Sequence, residues 1–179
     1  MLTDIDMLAV RFGRQAADRM REKSGVTAKG IGGPVTIAVD PMLQCPETHI
    51  DMIVAEVKQG RAQINPATRR RQVLAAALAR FGCCDSTEAA VLARTLLQRG
   101  QAENSRGHTV RMVIFASSGE RAPRGWHWIH LDHVFRFLDT FLRSESKTLG
   151  KVDLHDPALN WLSLLHKCDL TLQKKALTP

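Results

Sequence analysis

Residues 49–60, HIDMIVAEVKQG, constrain the fold more than any other stretch of this chain. Ile50, Met52, Ile53, Val54, Ala55 and Val57 are apolar without the alternation of a half-exposed strand, so the run reads as a central strand buried on both faces. It ends on Glu56 and Lys58. Alternate side chains of a strand share a face, which puts these two together, roughly 6.5–7 Å apart along the backbone. Burying such a pair without compensation is expensive.

The remaining pattern supplies partners for that strand. Leu8, Phe12, Ala16 and Met20 recur at helical spacing and predict a helix over 5–23, stopped by the glycine- and proline-rich residues 25–34. VTIAV, residues 35–39, reads as a short strand, and DPMLQCPETH after it as an irregular edge or a long hairpin connection. Asn65 as cap and Pro66 in the first turn predict a helix running to Phe81 and closed by Gly82. Ser86 opens another, STEAAVLARTLLQR, terminated by Gly100.

After a polar link, TVRMVIFAS at 109–117 and WHWIHL at 126–131 read as further strands. Asp132 then predicts a helix start, and Asp156 with Pro157 predicts a last helix carrying Leu159, Leu162 and Leu165. This order implies an α/β fold, a three-layer sandwich around a small mixed central sheet. At 179 residues and 44% hydrophobic, one domain over 1–179 is the expectation.

Twenty-five Lys and Arg against eighteen Asp and Glu leave a net charge of +7, which favours a polyanionic partner, nucleic acid before an acidic lipid surface. No run approaches the roughly 18 apolar residues that span a bilayer, and the acidic start is unlike a secretion signal, so a cytoplasmic protein without membrane partners is expected. Cys45, Cys83, Cys84 and Cys168 form no CxxC pair and are read as reduced thiols. His108, His127, His130 and His133 have no finger spacing, so no stoichiometric zinc is expected.

A carboxylate beside an ammonium at a strand end suits definite chemistry. The acid can hold a hard cation such as magnesium, and the lysine can hold a water or offset phosphate charge. With Glu56-Val57-Lys58 after the apolar run, and with the order of elements from about residue 5 to 117, the chain resembles the PD-(D/E)XK nuclease superfamily. That resemblance implies a restriction-endonuclease-like core over 5–117, with 118–179 as a C-terminal strand and helices. It also implies hydrolysis of phosphodiesters in DNA with Mg2+ or Mn2+.

The family places a metal-binding aspartate before Glu-x-Lys, and both Asp40 and Asp51 are candidates to share the ion with Glu56. Asp51 fits the motif's spacing, but five extended residues span roughly 16 Å and an odd offset reverses the face. Asp40 can return beside Glu56 through a hairpin near residue 48. Lys58 would orient the attacking water or stabilise developing charge, Gln59 would support the site, and Asp18 and Glu22 are weak counterparts of the first-helix acid.

Arg61, Arg69, Arg70 and Arg71 follow closely and are candidate phosphate contacts, with Arg121 and Arg124 in SSGERAPRG a second, weaker patch. Trp126, Trp128, Phe135, Phe137 and Phe141 read as core rather than a base-stacking platform. The alternative function is a catalytically inactive nucleic-acid-binding or protein-interaction module of the same fold. The apolar C-terminal helix adds a partner in a larger complex or a homodimer.

Overall fold

The computed structural model describes residue 5 and residues 7–11, 40–44, 46, 48–144, 160–162, 164–165 and 168. The apolar run forms a central strand, β2 (Asp51–Arg61), buried through Glu56 and exposed beyond it except at half-buried Lys58. On one edge it pairs antiparallel with β1 (Met7–Arg11), from Met7↔Ala55 to Arg11↔Asp51. On the other it pairs parallel with β4 (Thr109–Ser118), from Asp51↔Thr109 to Lys58↔Ala116.

Two short strands share the far edge of β4. β3 (Gln101–Glu103) lies antiparallel, from Gln101↔Arg111 to Glu103↔Thr109, and β5 (His127–His130) lies parallel, from Val113↔His127 to Ala116↔His130. The protein is therefore α/β with a mixed, open, five-stranded sheet.

Between β2 and β4 the chain makes the long crossover that parallel neighbours require. It runs through α1 (Arg71–Phe81) and α2 (Ser86–Arg99). Met52 and Val54 of β2 and Val110, Met112, Ile114 and Ala116 of β4 share one core with Leu74, Leu78, Leu92 and Leu96 of these helices. Each such leucine or methionine contributes about 1.5–3 kcal/mol by leaving water. Ile53, Ala55, Val113 and Ile129, on the opposite face by register, are buried as well. Burial on both faces is why the run does not alternate.

The opening segment departs from its helical spacing, because Met7–Arg11 is a strand. MLAV is a contiguous apolar run that saturates the backbone edge of β2, and this pairing outweighs a weak periodicity. Phe12, Asp18, Ala16, Met20, Glu22 and the VTIAV segment lie outside the described residues. Part of DPMLQCPETH forms a 3-10 turn, Pro41–Leu43.

The single helix predicted from residue 65 to Phe81 is broken. Asn65 does cap, accepting the Ala67 N–H at 3.0 Å, but Pro66–Arg69 is a 3-10 turn. Arg70 is extended, with φ −84° and ψ 124°, before α1 begins. α2 opens at Ser86 and ends before Gly100 as its sequence predicts, with Asp85 as the cap, its Oδ1 accepting the Glu88 N–H at 2.8 Å.

Gly100 ends α2 with φ +75°, and a Cβ placed there would lie 1.4 Å from the carbonyl oxygen of Gly125. Left-handed backbone alone disfavours alanine by about 1–2 kcal/mol, and the overlap adds to it. Gly100→Ala is expected to lower the urea midpoint clearly; an unchanged midpoint would show that the two loops do not meet.

The described residues fall into two compact units, one running to Asp132 and the other beginning at His133. β5 belongs to the first because it pairs with β4, so the sheet extends past residue 117. α3 (Leu131–Ser144) begins one residue before Asp132, which lies in its first turn rather than at its cap. The Asp132 N–H donates to His130 Nδ1 at 3.2 Å.

In the second unit Leu142 and Leu162 are buried, Phe135 and Trp161 are exposed, and Arg143 pairs with Asp139 at 2.9 Å. Exposure takes Phe135 out of the aromatic core expected from sequence. Residues 160–162 and 164–165 are helical, while Asp156 and Pro157 lie outside the described residues. Among the described residues no helix is long and apolar enough to cross a membrane.

Candidate functional site

β2 leaves the core at the residues singled out by sequence. Glu56 is 0% exposed, and the next residue on its face, Lys58, is half-buried with Nζ 3.1 Å from Glu56 Oε2. Both carboxylate oxygens also accept the Asn65 N–H, at 2.9 Å and 3.2 Å. Glu56 thus tethers the chain where it turns back from β2 toward α1. An ionised carboxylate removed from water needs such partners.

Just beyond, the β2–β4 register shifts between Lys58 and Arg61. The Ser117 hydroxyl donates to the Gln59 carbonyl across this irregularity. Gln59 itself is exposed and its side chain has no hydrogen bond among the described residues, so the supporting role expected of it is not seen.

The two aspartates proposed to share an ion with Glu56 each hold a structural partner of their own. Asp51 lies on the opposite face of the sheet, since β2 keeps its register without a bulge from Asp51 to Lys58. Its fully buried carboxylate forms a fork with Arg111, Nε–Oδ1 2.9 Å and Nη2–Oδ2 2.8 Å. Asp40 is buried, and its Oδ1 accepts the Met42 N–H at 2.9 Å to cap the 3-10 turn. That turn is fastened to β5, with Met42 O 2.6 Å from His127 Nε2. By register His127 shares a face with Val113 and Ala55, opposite Glu56.

Among the described residues no three His, Cys, Asp or Glu side chains gather into a metal-binding group. Three of the histidines hold structural contacts: His49 bonds Thr109 Oγ1 at 2.9 Å, and His127 and His130 hold the backbone contacts already given. Cys83 and Cys84 are free thiols with sulfurs 3.7 Å apart. Burial, then the Cys83 hydrogen bond and the field of Cys83, Glu88 and Asp85, pushes the Cys84 thiol up to about 12. Only the thiolate alkylates, so at pH 8 Cys84 should react far more slowly with iodoacetamide than exposed Cys168, as read by peptide mass mapping.

The basic residues separate into two groups. Arg69, Arg121 and Arg124 line a cleft of about 530 Å3 beyond the carboxyl end of β2, and Arg61 and Arg121 line an adjoining one of about 320 Å3. Arg70 is exposed outside both, and Arg71 donates its Nε to the Ala90 carbonyl at 3.2 Å. The loop arginines were the weaker signal in sequence because nothing local shows that residues 119–126 fold back toward residues 61–69.

Compared with models of known families, with curated proteins and with solved structures, the chain matches none of them.

Proposed function

We propose that the chain is a metal-dependent nuclease of restriction-endonuclease-like architecture that hydrolyses phosphodiesters in DNA. The observation that supports it most is the Glu56–Lys58 pair, 3.1 Å apart on one face near the carboxyl end of the central strand, whose continuation at Ala62–Ile64 lines an arginine-lined cleft. In open α/β sheets the crevice outside the carboxyl ends of the strands is where ligands bind. The net charge of +7 suits a phosphate backbone.

Magnesium fits this donor set in one particular way. It keeps several waters and is commonly held by one or two carboxylates together with substrate phosphates, not by an all-protein cage. Glu56 would supply the carboxylate, and the ion when bound would polarise the phosphoryl oxygens and lower the pKa of a bound water. Lys58 would set its ammonium against the negative charge that develops on the phosphate, and the cleft arginines would hold the substrate backbone in register.

A second reading has its own support. Glu56 is already engaged by Lys58 and the Asn65 N–H, and Asp51 by Arg111. Such a site would bind nucleic acid without cutting it. A cleavage assay on duplex and single-stranded DNA and RNA with Mg2+ or Mn2+ separates the two. Chelator-sensitive cleavage is expected, with binding that weakens steeply as salt rises because phosphate contacts release counterions. Salt-sensitive binding without cleavage would leave the second reading; no binding at low salt would remove both.

A further inference from the structure

The fold brings Arg121 and Arg124, a separate candidate patch in sequence, into one cleft with Arg69. None of these three side chains makes a hydrogen bond or ion pair among the described residues. Arg61, by contrast, already lies 4.0 Å from Glu120, and both side chains are well exposed. Like charges gathered around a concavity repel one another unless an anion joins them. The cleft's volume, about 530 Å3, is that of a small-ligand site.

The loop is fixed at both ends. At its start, Gly119 sits against the Trp128 ring, which leaves 3.2 Å for any added Cβ. At its end, the Trp126 N–H donates to the Pro123 carbonyl at 2.9 Å, Trp126 is buried, and Gly125, with φ +78°, packs on Gly100. Arg121 and Arg124 are therefore carried by anchored backbone, which reduces the ordering that ligand binding requires.

From this we infer that Arg69, Arg121 and Arg124 form a binding site for a terminal phosphate of a nucleic-acid strand. Each guanidinium offers a planar fork of N–H donors matched to phosphate oxygens. An internal phosphodiester presents two non-bridging oxygens and a single charge. A terminal monoester presents three oxygens and approaches a dianion near neutral pH. Donors in excess of what a diester accepts thus favour the strand end. Ala62, Gln63 and Ile64, which also line the cleft, follow Lys58 within a few residues. The inference deepens the nuclease reading by naming its substrate as a phosphorylated end, although the binding site does not depend on cleavage.

The test is fluorescence anisotropy in the presence of chelator, with one short labelled single strand carrying hydroxyl ends, a 5′-phosphate or a 3′-phosphate. One phosphorylated form is expected to bind at least about tenfold more tightly than the hydroxyl form. Arg121→Gln with Arg124→Gln should abolish that preference, while Arg80→Gln, exposed on α1 and outside the cleft, should keep it. Which phosphate is preferred identifies the strand end. Equal affinity for all three strands, or a preference that survives the double substitution, would overturn the inference. Because no metal is present, these results are independent of cleavage: a protein that prefers phosphorylated ends but never cuts would refute only the nuclease reading.

Discussion

Lys58→Ala is expected to slow phosphodiester cleavage by on the order of a hundredfold or more while leaving nucleic-acid binding in chelator nearly unchanged. The expectation rests on one preorganised ammonium, 3.1 Å from Glu56 at the edge of the core, withdrawn from a developing negative charge. Glu56→Gln is the companion variant, since the amide oxygen can still accept the Asn65 N–H that the carboxylate now holds. It should lose cleavage and raise the magnesium concentration needed for any residual rate. Asp40→Asn tests the remaining acid, whose Oδ1 caps a turn in this structure. Parental single-turnover rates in both Lys58→Ala and Glu56→Gln would place the chemistry elsewhere or assign it to a contaminant.

The other large effect concerns stability. Arg111→Leu should destabilise the protein by about 3–5 kcal/mol, because it leaves the Asp51 carboxylate buried without its charge partner. Urea denaturation reads the loss directly. Combining Asp51→Leu with Arg111→Met should recover most of it, since similar volume without charge is often tolerated as well as the ion pair. The double variant should also cleave like the parent, because Asp51 lies on the face opposite Glu56. A single Arg111→Leu within about 0.5 kcal/mol of the parent, the range of an ordinary surface change, would mean that water reaches the pair.

Elements whose cause is local were legible in the sequence. β2 and β4 declare themselves by apolar runs too continuous for a solvated face, and α1 and α2 by apolar spacing closed at Gly82 and Gly100. β3 was not legible, since Gln101–Glu103 is short and polar and becomes a strand only because β4 offers an open edge beside it. β1 misled for a related reason: a pattern compatible with a helix pairs instead with the backbone of β2. Edge pairing is a property of the sheet, and no window of sequence contains it.

The candidate site divides along the same line. Period-two geometry within one strand put Glu56 and Lys58 on a common face and opposed Asp51, and the structure agrees on both counts. The sequence by itself therefore determined the central strand, the pair at its end and the basic charge available to an anion. Only the tertiary structure decided that Asp51 belongs to Arg111, sixty positions away. It also decided that Asn65 closes on Glu56, and that Arg121 and Arg124 meet Arg69 while Arg70 does not. Strand alternation is fixed by the covalent backbone, whereas contacts between distant residues depend on how the sheet and its connections pack, which no local pattern encodes.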